Sequence, residues 1–501
     1  MWMTIFFLVF VPALVALAGL AYFFALPDGL PSNIPTIPFY YALLPLVKEN
    51  DQVDLYHTFL QQPLTEFGAV KLFFGGRWNI LIRKPAYIAE VLKNEDIYAK
   101  SGNQKKIPYG VLAEYTGDNI ISSHGENWKL YSSIFKPALQ QDYDPKQIWI
   151  NAGLLIQLIG EEQTSSGRVN INLLLQRYTL ANLSELLLGS SFETLHRPDA
   201  PLHVFQTRIK PKIFDPIFLN FPFLDHLKSA TRQEARTLVQ QFTDSLCETV
   251  ERGHVHCSCR KGGVAQNLGC RLLATFADGI LTERQLRHNL ISAFLAGHEN
   301  PQLLIISVLF LLAEHKGTQE KLRLDIASLG PGDPDYSALQ SLPLLTATIY
   351  EALRLYPPIS QLINRCTTQP VMLGGRIPIP AGTYVGYNAY STNRDVDFWG
   401  EDSKEFRPER WGSTIEEITS LFRMANAKGA FISFHGGRRA CLGQKFAMLE
   451  TRITVAKLLQ MTEWEIDPQW QRQMTPAGPL YPRNLRLCFQ TRPNASSQSR
   501  S

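Results

Sequence analysis

Residues 434–443 read FHGGRRACLG, and the helix-like run QKFAMLETRITVAKLLQ follows them. The glycines loosen this loop, which delivers Cys441 to the start of a helix. Unpaired N–H groups and the positive dipole end at a helix start lower the pKa of a thiol, so this position favours a thiolate. Gly437 and Gly443 allow a flat ligand to approach the backbone, and Arg439 is placed to pair with an anionic group on it. The pattern therefore predicts a ligand-binding cysteine.

The loop resembles the FxxGxRxCxG signature of the cytochrome P450 family and matches it at every defined position, from Phe434 to Gly443. Four further blocks agree in order and spacing, so the resemblance covers about residues 37–490. It implies a cytochrome P450 fold, mainly α with a small β-sheet region. It also implies that Cys441 is the axial thiolate ligand of the iron in heme b. The cofactor-binding residues implied by the loop are Phe434, Gly437, Arg439, Cys441 and Gly443.

A second block, in the run LLTATIYEALRLY, contains Glu351 and Arg354. Their spacing of three places a carboxylate and a guanidinium on one helix face, where an exposed pair would contribute little. The resemblance implies a buried pair instead, shared with Arg410 of the block FRPERW. These three residues are then a structural triad that fixes the cysteine loop.

Two other residues match family positions that contact the heme propionates. Arg365, in INRCT, matches an arginine that reaches a propionate, and Trp128, in HGENWKLYSS, matches a tryptophan that does so through its indole N–H. The family usually has an arginine four residues after this tryptophan, and Ser132 stands there instead. One propionate is therefore predicted to lack its customary partner.

The longest helix candidate spans residues 281–314 and begins with a capping box of Thr282 and Gln285. Its centre reads AGHENP over residues 296–301, similar to the family's distal-helix pattern (A/G)Gx(D/E)T(T/S). Asn300 replaces the usual threonine. Pro301 has no N–H to give to the carbonyl of Gly297, so we expect the helix to open there.

The missing hydroxyl bears on the reaction, because an amide donates a hydrogen bond but does not relay a proton. The predicted catalytic residues are therefore Glu299 or His298 with water, beside Asn300. Alternatively, the reaction needs one-electron substrate oxidation, such as phenol coupling, more than oxygen insertion. The strings AGHENPQLL and HGENWK are similar to a fungal microsomal branch of the family that contains an oxidase of N-formyltyrosine, which forms a dityrosine.

The resemblance implies an O2-dependent monooxygenase or oxidase of a small lipophilic or aromatic substrate, in secondary metabolism or spore-wall precursor synthesis. Its implied partners are NADPH–cytochrome P450 reductase, which supplies electrons from NADPH, and cytochrome b5 as an optional donor. A competing interpretation is a heme-binding membrane protein without turnover, favoured by Asn300 and Ser132. Segments 101–122, 205–227 and 358–364 are predicted to shape the substrate site.

The N-terminal residues 1–26 contain no charged side chain. About 20 apolar residues suffice to cross a bilayer as a helix, and a basic n-region typical of a removed signal is absent. We therefore expect a single-pass anchor, and the family resemblance implies that it lies in the endoplasmic reticulum membrane with the catalytic domain in the cytosol. The nearest charges, Asp28 and Lys48, are too few to set the orientation.

The prolines of residues 27–38 predict a stiff hinge. Residues 39–492 are predicted to form a single heme-thiolate domain, and residues 493–501 are predicted to be a disordered tail. A total of 49 Lys+Arg against 45 Asp+Glu excludes a dedicated nucleic-acid binder, and seven cysteines exclude a disulfide scaffold. Apolar periodicity predicts helices at 172–188 and 281–315, and short strands at 69–73, 78–83, 370–379 and 483–489.

Three weaker signals have two interpretations each. The stretch 212–227 holds four phenylalanines and is either a core loop or a hydrophobic lip against membrane or substrate. One residue between Cys257 and Cys259 is too few for typical zinc spacing, so an exposed loop is favoured over a metal site that would include His254 and His256. Four basic residues form either a docking face for an acidic electron donor or a solvated surface: Lys129, Lys136, Arg438 and Lys445.

Overall fold

A computed structural model of the chain describes residues 2–47, 50–227, 229–255 and 267–492. The described part is mainly helical with small sheets. In chain order the helices are α1 (Trp2–Phe24), α2 (Leu44–Val47), α3 (Gln52–Leu55), α4 (Gln61–Phe67), α5 (Pro85–Lys93), α6 (Asn103–Lys106), α7 (Val111–Thr116), α8 (Glu126–Leu139), α9 (Lys146–Ser166), α10 (Ile171–Asn182) and α11 (Pro201–Ile213). They continue as α12 (Pro216–Asn220), α13 (Ala230–Val255), α14 (Leu268–Ala277), α15 (Glu283–Glu314), α16 (Lys316–Ala327), α17 (Tyr336–Gln340), α18 (Pro343–Leu355), α19 (Ala389–Thr392), α20 (Val396–Trp399), α21 (Ile415–Ala427) and α22 (Gln444–Met461).

The strands are β1 (Ala69–Phe73), β2 (Trp78–Ile82), β3 (Tyr98–Lys100), β4 (Val169–Asn170), β5 (Gln361–Thr367), β6 (Val371–Leu373), β7 (Ile377–Ile379), β8 (Tyr384–Asn388), β9 (Thr462–Ile466) and β10 (Arg486–Thr491). A five-stranded sheet has the order β1-β2-β8-β5-β3, in which β2 and β8 are parallel and the other pairs antiparallel. A second sheet has the order β4-β10-β9, and β6 pairs with β7.

Helix α15 runs through the centre of the hydrophobic core and packs against α10, α18 and α22. Residues 301–313 are all buried, which explains why a helix this long and apolar lies inside the protein. The helix is continuous through Pro301, so the predicted opening is wrong. The proline removes one backbone hydrogen bond, and burial of the turns on its C-terminal side keeps the helix intact.

The N-terminal helix α1 is apolar, and its residues 13–22 are exposed, with Leu14, Val15 and Leu17 each 64% exposed. Among the described residues, the helix that meets a length and hydropathy criterion for spanning a membrane is Glu283–Glu314, 72% of whose apolar window is buried in the protein. Ala13–Phe24 is a shorter apolar helical stretch.

The predicted hinge is fixed to the body over its second half. The backbone N–H of Ile37 donates to the carbonyl of Lys71 on β1 at 2.9 Å, and the N–H of Lys71 donates to Pro35 at 2.8 Å. Ile34 and Ile37 are buried, and the Lys71 ammonium donates to the carbonyl of Pro31 at 2.7 Å. The segment from Pro31 to Ile37 is therefore attached to β1.

Several predicted elements end elsewhere in the structure. The helix predicted at 172–188 is α10 followed by a π-helical turn over Leu183–Leu188, and the strand predicted at 370–379 is the hairpin of β6 and β7. The strand predicted from residue 483 begins at Arg486. Strands β3, β4, β5, β8 and β9 were not predicted.

The phenylalanine-rich stretch 212–227 folds into α12 and a 3-10 turn over Pro222–His226. Phe221 and Phe223 pack against Phe23 of α1, with ring centroids 6.0 Å and 5.3 Å apart. Phe223 is 41% exposed. The stretch therefore forms an apolar lip beside the end of α1.

The candidate metal cluster falls partly outside the described residues, since His256, Cys257 and Cys259 are not among them. Of this set the structure describes His254, whose Nδ1 lies 3.3 Å from the Sγ of Cys270. The predicted tail, residues 493–501, also lies outside the described part.

Candidate active site

The cysteine loop is closed by a hydrogen bond from the backbone N–H of Cys441 to the carbonyl of Phe434 at 2.9 Å. A 3-10 turn over Gly437–Arg439 lies inside the loop, and α22 begins three residues after the cysteine. Cys441 is an exposed free thiol, whereas Phe434 is buried. Cys441 is therefore accessible although protein surrounds its thiol, whereas the base of the loop is held in the core.

The predicted lowering of the Cys441 pKa is wrong for the free thiol. The backbone N–H groups of Gly443 and Gln444 act on it in the expected direction. Desolvation by the surrounding protein is the larger effect, and it raises the pKa of the Cys441 thiol. A metal ion bound by Cys441 would deprotonate the thiol. The loop would then fix the position of the sulfur, and the bound metal ion would stabilise the negative charge of the thiolate.

The two predicted glycines have different roles. Gly437 has a φ of +63°, and an added Cβ would lie 2.9 Å from the carbonyl oxygen of Leu92, so both its conformation and its contact require glycine. Gly443 has an ordinary φ of −86°, and the nearest atom to an added Cβ is the Sγ of Cys441 at 4.0 Å. Gly443 therefore leaves the space beside the sulfur open.

The structural triad forms a buried network. Arg354 donates to both oxygens of Glu351, from Nε and from a terminal nitrogen, at 2.8 Å each. The Nε of Arg410 donates to Oε1 of Glu351 at 2.9 Å, and the indole of Trp411 donates to Oε2 at 3.0 Å. Glu351 and Arg354 are fully buried, and these donors hold the pKa of the Glu351 carboxyl below its usual range despite the opposing effect of burial.

Asn393 connects this triad to the cysteine loop. Its carbonyl accepts a hydrogen bond from Arg354 at 3.0 Å, and its side-chain oxygen accepts from the N–H of Ile432 at 3.1 Å. Its amide nitrogen donates to the hydroxyl of Ser433 at 2.8 Å. Phe434, whose carbonyl accepts a hydrogen bond from Cys441, follows Ser433 in the chain. Hydrogen bonds and this covalent link therefore connect Glu351 to the cysteine.

Lys100 and Arg365 lie directly opposite each other on the antiparallel strands β3 and β5, so their side chains share one face of the sheet. Both are buried, at 6% and 2% exposure. Arg365 donates to the carbonyl of Tyr98 at 2.9 Å, but its Nε has no hydrogen-bond partner within the described residues. Burial and the nearby Arg365 and Arg439 lower the pKa of Lys100 well below its usual range.

Arg439 completes a group that we call the basic cluster: Lys100, Arg365 and Arg439. Its guanidinium pairs with the buried carboxylate of Glu95 and donates to the carbonyl of Ser123. It also lies over the ring of Trp128, 4.3 Å from the centroid. The structure therefore brings Trp128, Arg439 and Arg365 together, and Lys100 joins them.

The charge of the basic cluster indicates what it binds. Three basic side chains face one buried carboxylate, Glu95, and like charges opposite each other in a sheet are destabilising. In addition, the Nε–H of Arg365 has no hydrogen-bond acceptor among the described residues, which is unfavourable for a buried donor. A ligand with two carboxylates would neutralise the cluster and accept the unpaired hydrogen bond.

Near the centre of α15, Leu295, Ala296, Gly297, Glu299 and Asn300 form a half-buried face between the buried residues 289–294 and 301–313. An added Cβ on Gly297 would meet Leu183 at 2.5 Å, so this glycine allows α15 to approach the neighbouring helix. His298 is fully buried and bonds through Nδ1 to the carbonyl of Phe294 at 2.5 Å. Burial lowers the pKa of His298 to about 4, so its ring is neutral at pH 7.

Glu299 forms an ion pair with Lys210 of α11. Glu299 is 16% and Lys210 38% exposed. The carboxylate of Glu299 raises the pKa of Lys210 against the opposing effect of burial. The acid of the distal pattern is therefore already engaged by a cation from another helix.

The cytochrome P450 family model matches residues 31–489, and the chain belongs to this family. It is 44% identical to cytochrome P450-DIT2 of Saccharomyces cerevisiae, over 92% of this chain and 94% of that protein. It is 40% identical to cytochrome P450 monooxygenase xanG of Aspergillus fumigatus, over 95% of this chain and 90% of that protein. Cytochrome P450 72A397 of Kalopanax septemlobus is 22% identical over 88% of this chain. The chain is accordingly an oxidoreductase of a family that uses heme-thiolate iron.

The described residues fit a heme at this site. Heme b carries two propionates, which match the excess charge of the basic cluster and the free Nε of Arg365. The accessible sulfur of Cys441, with open space beside Gly443, matches an axial ligand approaching a flat ring.

Three residues of this region were missed by sequence reasoning. Lys100, Asn393 and Lys210 lie outside every recognisable block of the sequence. For Lys100 the sequence has no clear signal, because the acidic residues Glu95 and Asp96 lie close before it in the chain. For Asn393 and Lys210 the partners are 39 and 89 residues away, and the sequence has no signal for them.

Proposed function

We propose that the protein is a membrane-anchored heme-thiolate monooxygenase or oxidase of a small lipophilic or aromatic substrate. The observation that carries this proposal is the placement of an accessible Cys441 near a buried basic cluster of three side chains that has one carboxylate partner, Glu95. Electrons come from NADPH through NADPH–cytochrome P450 reductase, with cytochrome b5 as an additional donor. The setting is secondary metabolism or spore-wall precursor synthesis.

The residues that would hold heme b divide by the group they contact. Cys441 is the axial ligand, and Phe434, Gly437 and Gly443 give its loop the required shape. Arg365, Arg439 and Trp128 hold the propionates, and Lys100 supplies the cation that Ser132 does not. When bound, the heme supplies iron for the reductive activation of O2, and a thiolate ligand favours O–O cleavage.

Protons reach the distal side through Glu299 and water, with Asn300 orienting that water through its amide. Glu299 is suited to this role because it lies on the half-buried face of α15. The catalytic role of His298 stays a prediction, and the packing of its neutral ring against Phe294 gives that role no support.

Phenol coupling is the second candidate activity. It is favoured by Asn300 in place of a threonine and by the 44% identity to cytochrome P450-DIT2. In this reaction two phenols, such as two N-formyltyrosines, each lose one hydrogen atom and form one C–C bond. O2 takes up these two hydrogen atoms, with two electrons and two protons from the reductase system, to give two water molecules.

Product analysis separates these activities. The protein is incubated with NADPH, its reductase and N-formyl-L-tyrosine, and products are identified by mass spectrometry. Coupling gives twice the substrate mass less two hydrogens, whereas hydroxylation adds one oxygen. A heme protein without turnover would give neither, and would show no substrate-dependent consumption of NADPH or O2 across a panel of aromatic substrates.

The surfaces fit a membrane-bound enzyme of the endoplasmic reticulum with its catalytic domain in the cytosol. Helix α1 is an exposed apolar helix suited to a single-pass anchor, and the apolar lip of residues 212–227 lies beside its end. Of the proposed reductase-docking residues, Lys129 and Lys445 pair with Glu126 and Asp142. Arg438, which lies over Trp128, is the better placed contact for an acidic donor.

A further inference from the structure

The Lys210–Glu299 ion pair joins two regions that meet at the distal face. Lys210 lies on α11, inside segment 205–227, and Glu299 lies on α15 next to Asn300. Burial alone would lower the pKa of Lys210, but the carboxylate of Glu299 raises the pKa of Lys210. The Lys210 ammonium is therefore charged at neutral pH. The ammonium of Lys210 has three N–H donors, and one of them contacts Glu299. The other two can donate to a second anion.

Two phenols lie near this pair. Tyr115 of α7 is 1% exposed, its hydroxyl has no hydrogen-bond partner among the described residues, and the charge of Glu299 reaches it. Tyr481 is half-buried, and the charges of both Lys210 and Glu299 reach it. Burial raises the pKa of each phenol, so both remain protonated donors.

Three segments predicted to shape the substrate site meet at these residues. Tyr115 belongs to segment 101–122 and Lys210 to segment 205–227. The turn before Tyr481 is bound to segment 358–364, because the N–H of Leu480 donates to the carbonyl of Pro358 at 3.1 Å. Lys210, which pairs with Glu299, and the unsatisfied hydroxyl of Tyr115, which the charge of Glu299 affects, thus both lie on the side of α15 that carries Glu299.

We propose that Lys210 binds a carboxylate of the substrate, with the Tyr115 hydroxyl as an additional hydrogen-bond donor, so that the natural substrate is an aromatic or lipophilic acid. This inference rests on the proposed function, because it places the substrate at the distal face of a heme. The carboxylate would share Lys210 with Glu299 or displace it. Glu299 therefore opposes the binding of an acid by repulsion and by competition.

The two members of the ion pair give opposite expectations. Lys210→Gln removes the cation and should weaken the binding of an acid by about tenfold or more, the loss typical of one charge-assisted hydrogen bond. Lys210→Arg keeps the charge and should retain most of the affinity. Glu299→Gln removes the competitor and should tighten the binding of an acid several-fold. Methyl esters should bind all four proteins within about twofold, because an ester carries no charge.

The measurement is the heme absorbance change on binding, titrated with two acid–ester pairs. These are N-formyl-L-tyrosine and its methyl ester, and N-formyl-L-phenylalanine and its methyl ester. The ferrous–CO spectrum of each variant checks that the heme site is intact. If Lys210→Gln lowers the affinities for acid and ester equally, or changes neither, the inference is overturned. The same holds if none of the four compounds changes the wild-type spectrum.

The design separates the inference from the proposed function. If acids bind in a Lys210-dependent way and no product forms with NADPH and reductase, carboxylate recognition stands while the proposed catalysis fails. If products form from acid and ester with equal efficiency, the catalysis stands and the inference fails. The phenylalanine pair tests carboxylate recognition independently of phenol chemistry.

Discussion

Lys100 and Arg365 face each other across the β3–β5 pair, two buried basic side chains on one face of a sheet. Like charges directly opposite each other in a sheet are destabilising. Arg439, from the cysteine loop, adds a third basic side chain, whose carboxylate partner is Glu95. Under the proposed function, heme propionates would relieve this arrangement, and heme binding would stabilise the folded state.

Replacing Lys100 tests whether it holds a propionate. Lys100→Gln should accelerate heme loss about tenfold, since a hydrogen bond to a charged group contributes about 1.5–3 kcal/mol. Lys100→Arg should behave like the wild type. The rate of heme transfer to an excess of apomyoglobin measures the effect, with the exposed Lys105→Gln as the matched control. Equal rates for Lys100→Gln and Lys105→Gln would show that Lys100 does not contact the heme.

Asn393 is the residue whose removal should uncouple the triad from the cysteine loop. Asn393→Ala leaves the buried N–H of Ile432 without its partner, whereas the hydroxyl of Ser433 still donates to the carbonyl of Leu353 at 2.7 Å. Each unsatisfied buried group costs about 1–3 kcal/mol, so a clear decrease in Tm and faster loss of the thiolate-type ferrous–CO band are expected. Asn127→Ala removes an exposed amide and should change Tm little. An unchanged CO band in Asn393→Ala would refute the connection.

Glu450 gives the stability a defined pH dependence. It is fully buried on α22, accepts one hydrogen bond from Asn182 at 2.7 Å and lies near the phenol of Tyr178. Burial raises the pKa of Glu450 from 4.5 to about 8. The folded state therefore holds a proton that the unfolded chain releases above about pH 4.5, so this contribution to stability is lost as the pH rises to about 8.

Between pH 5 and pH 8, the Tm of Glu450→Gln should decline less than the Tm of the wild type. This interval lies between the ordinary pKa of a glutamate, 4.5, and the raised pKa of Glu450, about 8. Glutamine keeps an oxygen for Asn182 without an ionisable proton. Thermal unfolding followed by circular dichroism measures it, and the exposed Glu126→Gln serves as control. Parallel pH profiles for Glu450→Gln and the wild type would contradict the buried protonated state.

Asn300 should control how well O2 reduction is coupled to product formation. Asn300→Thr restores a hydroxyl that relays protons beside Glu299, so the fraction of consumed O2 released as hydrogen peroxide should change. Peroxide and NADPH measured together during turnover give this fraction. The same ratio in both proteins would remove Asn300 from the proton pathway.

The local contacts of the candidate site could be predicted from the sequence, because the motifs that form them are short. The cysteine loop, the Glu351–Arg354 pair and the capping box at Thr282 all involve residues a few positions apart. Strand β5 was missed because QLINRCT is only partly apolar, and its polar members include Arg365, which faces the basic cluster. Its strand character depends on pairing with β3 and β8. Strand β3 lies far away in the sequence, and the β6–β7 hairpin separates β5 from β8.

The remaining misses have the same physical origin. The opening at Pro301 was predicted from one lost hydrogen bond, but the burial of residues 301–313 outweighs that loss. The Cys441 pKa was predicted from a helix start alone, whereas desolvation depends on the packing of the whole domain. The Lys210–Glu299 pair joins two helices whose contact no local pattern encodes.

The central claim is that Cys441 ligates a heme iron through its thiolate. The ferrous–CO spectrum of the purified full-length protein tests it most directly, in the wild type and in Cys441→Ser. We predict the long-wavelength Soret band typical of thiolate ligation in the wild type, and its loss in Cys441→Ser with or without retained heme. A Cys441→Ser protein that keeps this band would contradict the assignment.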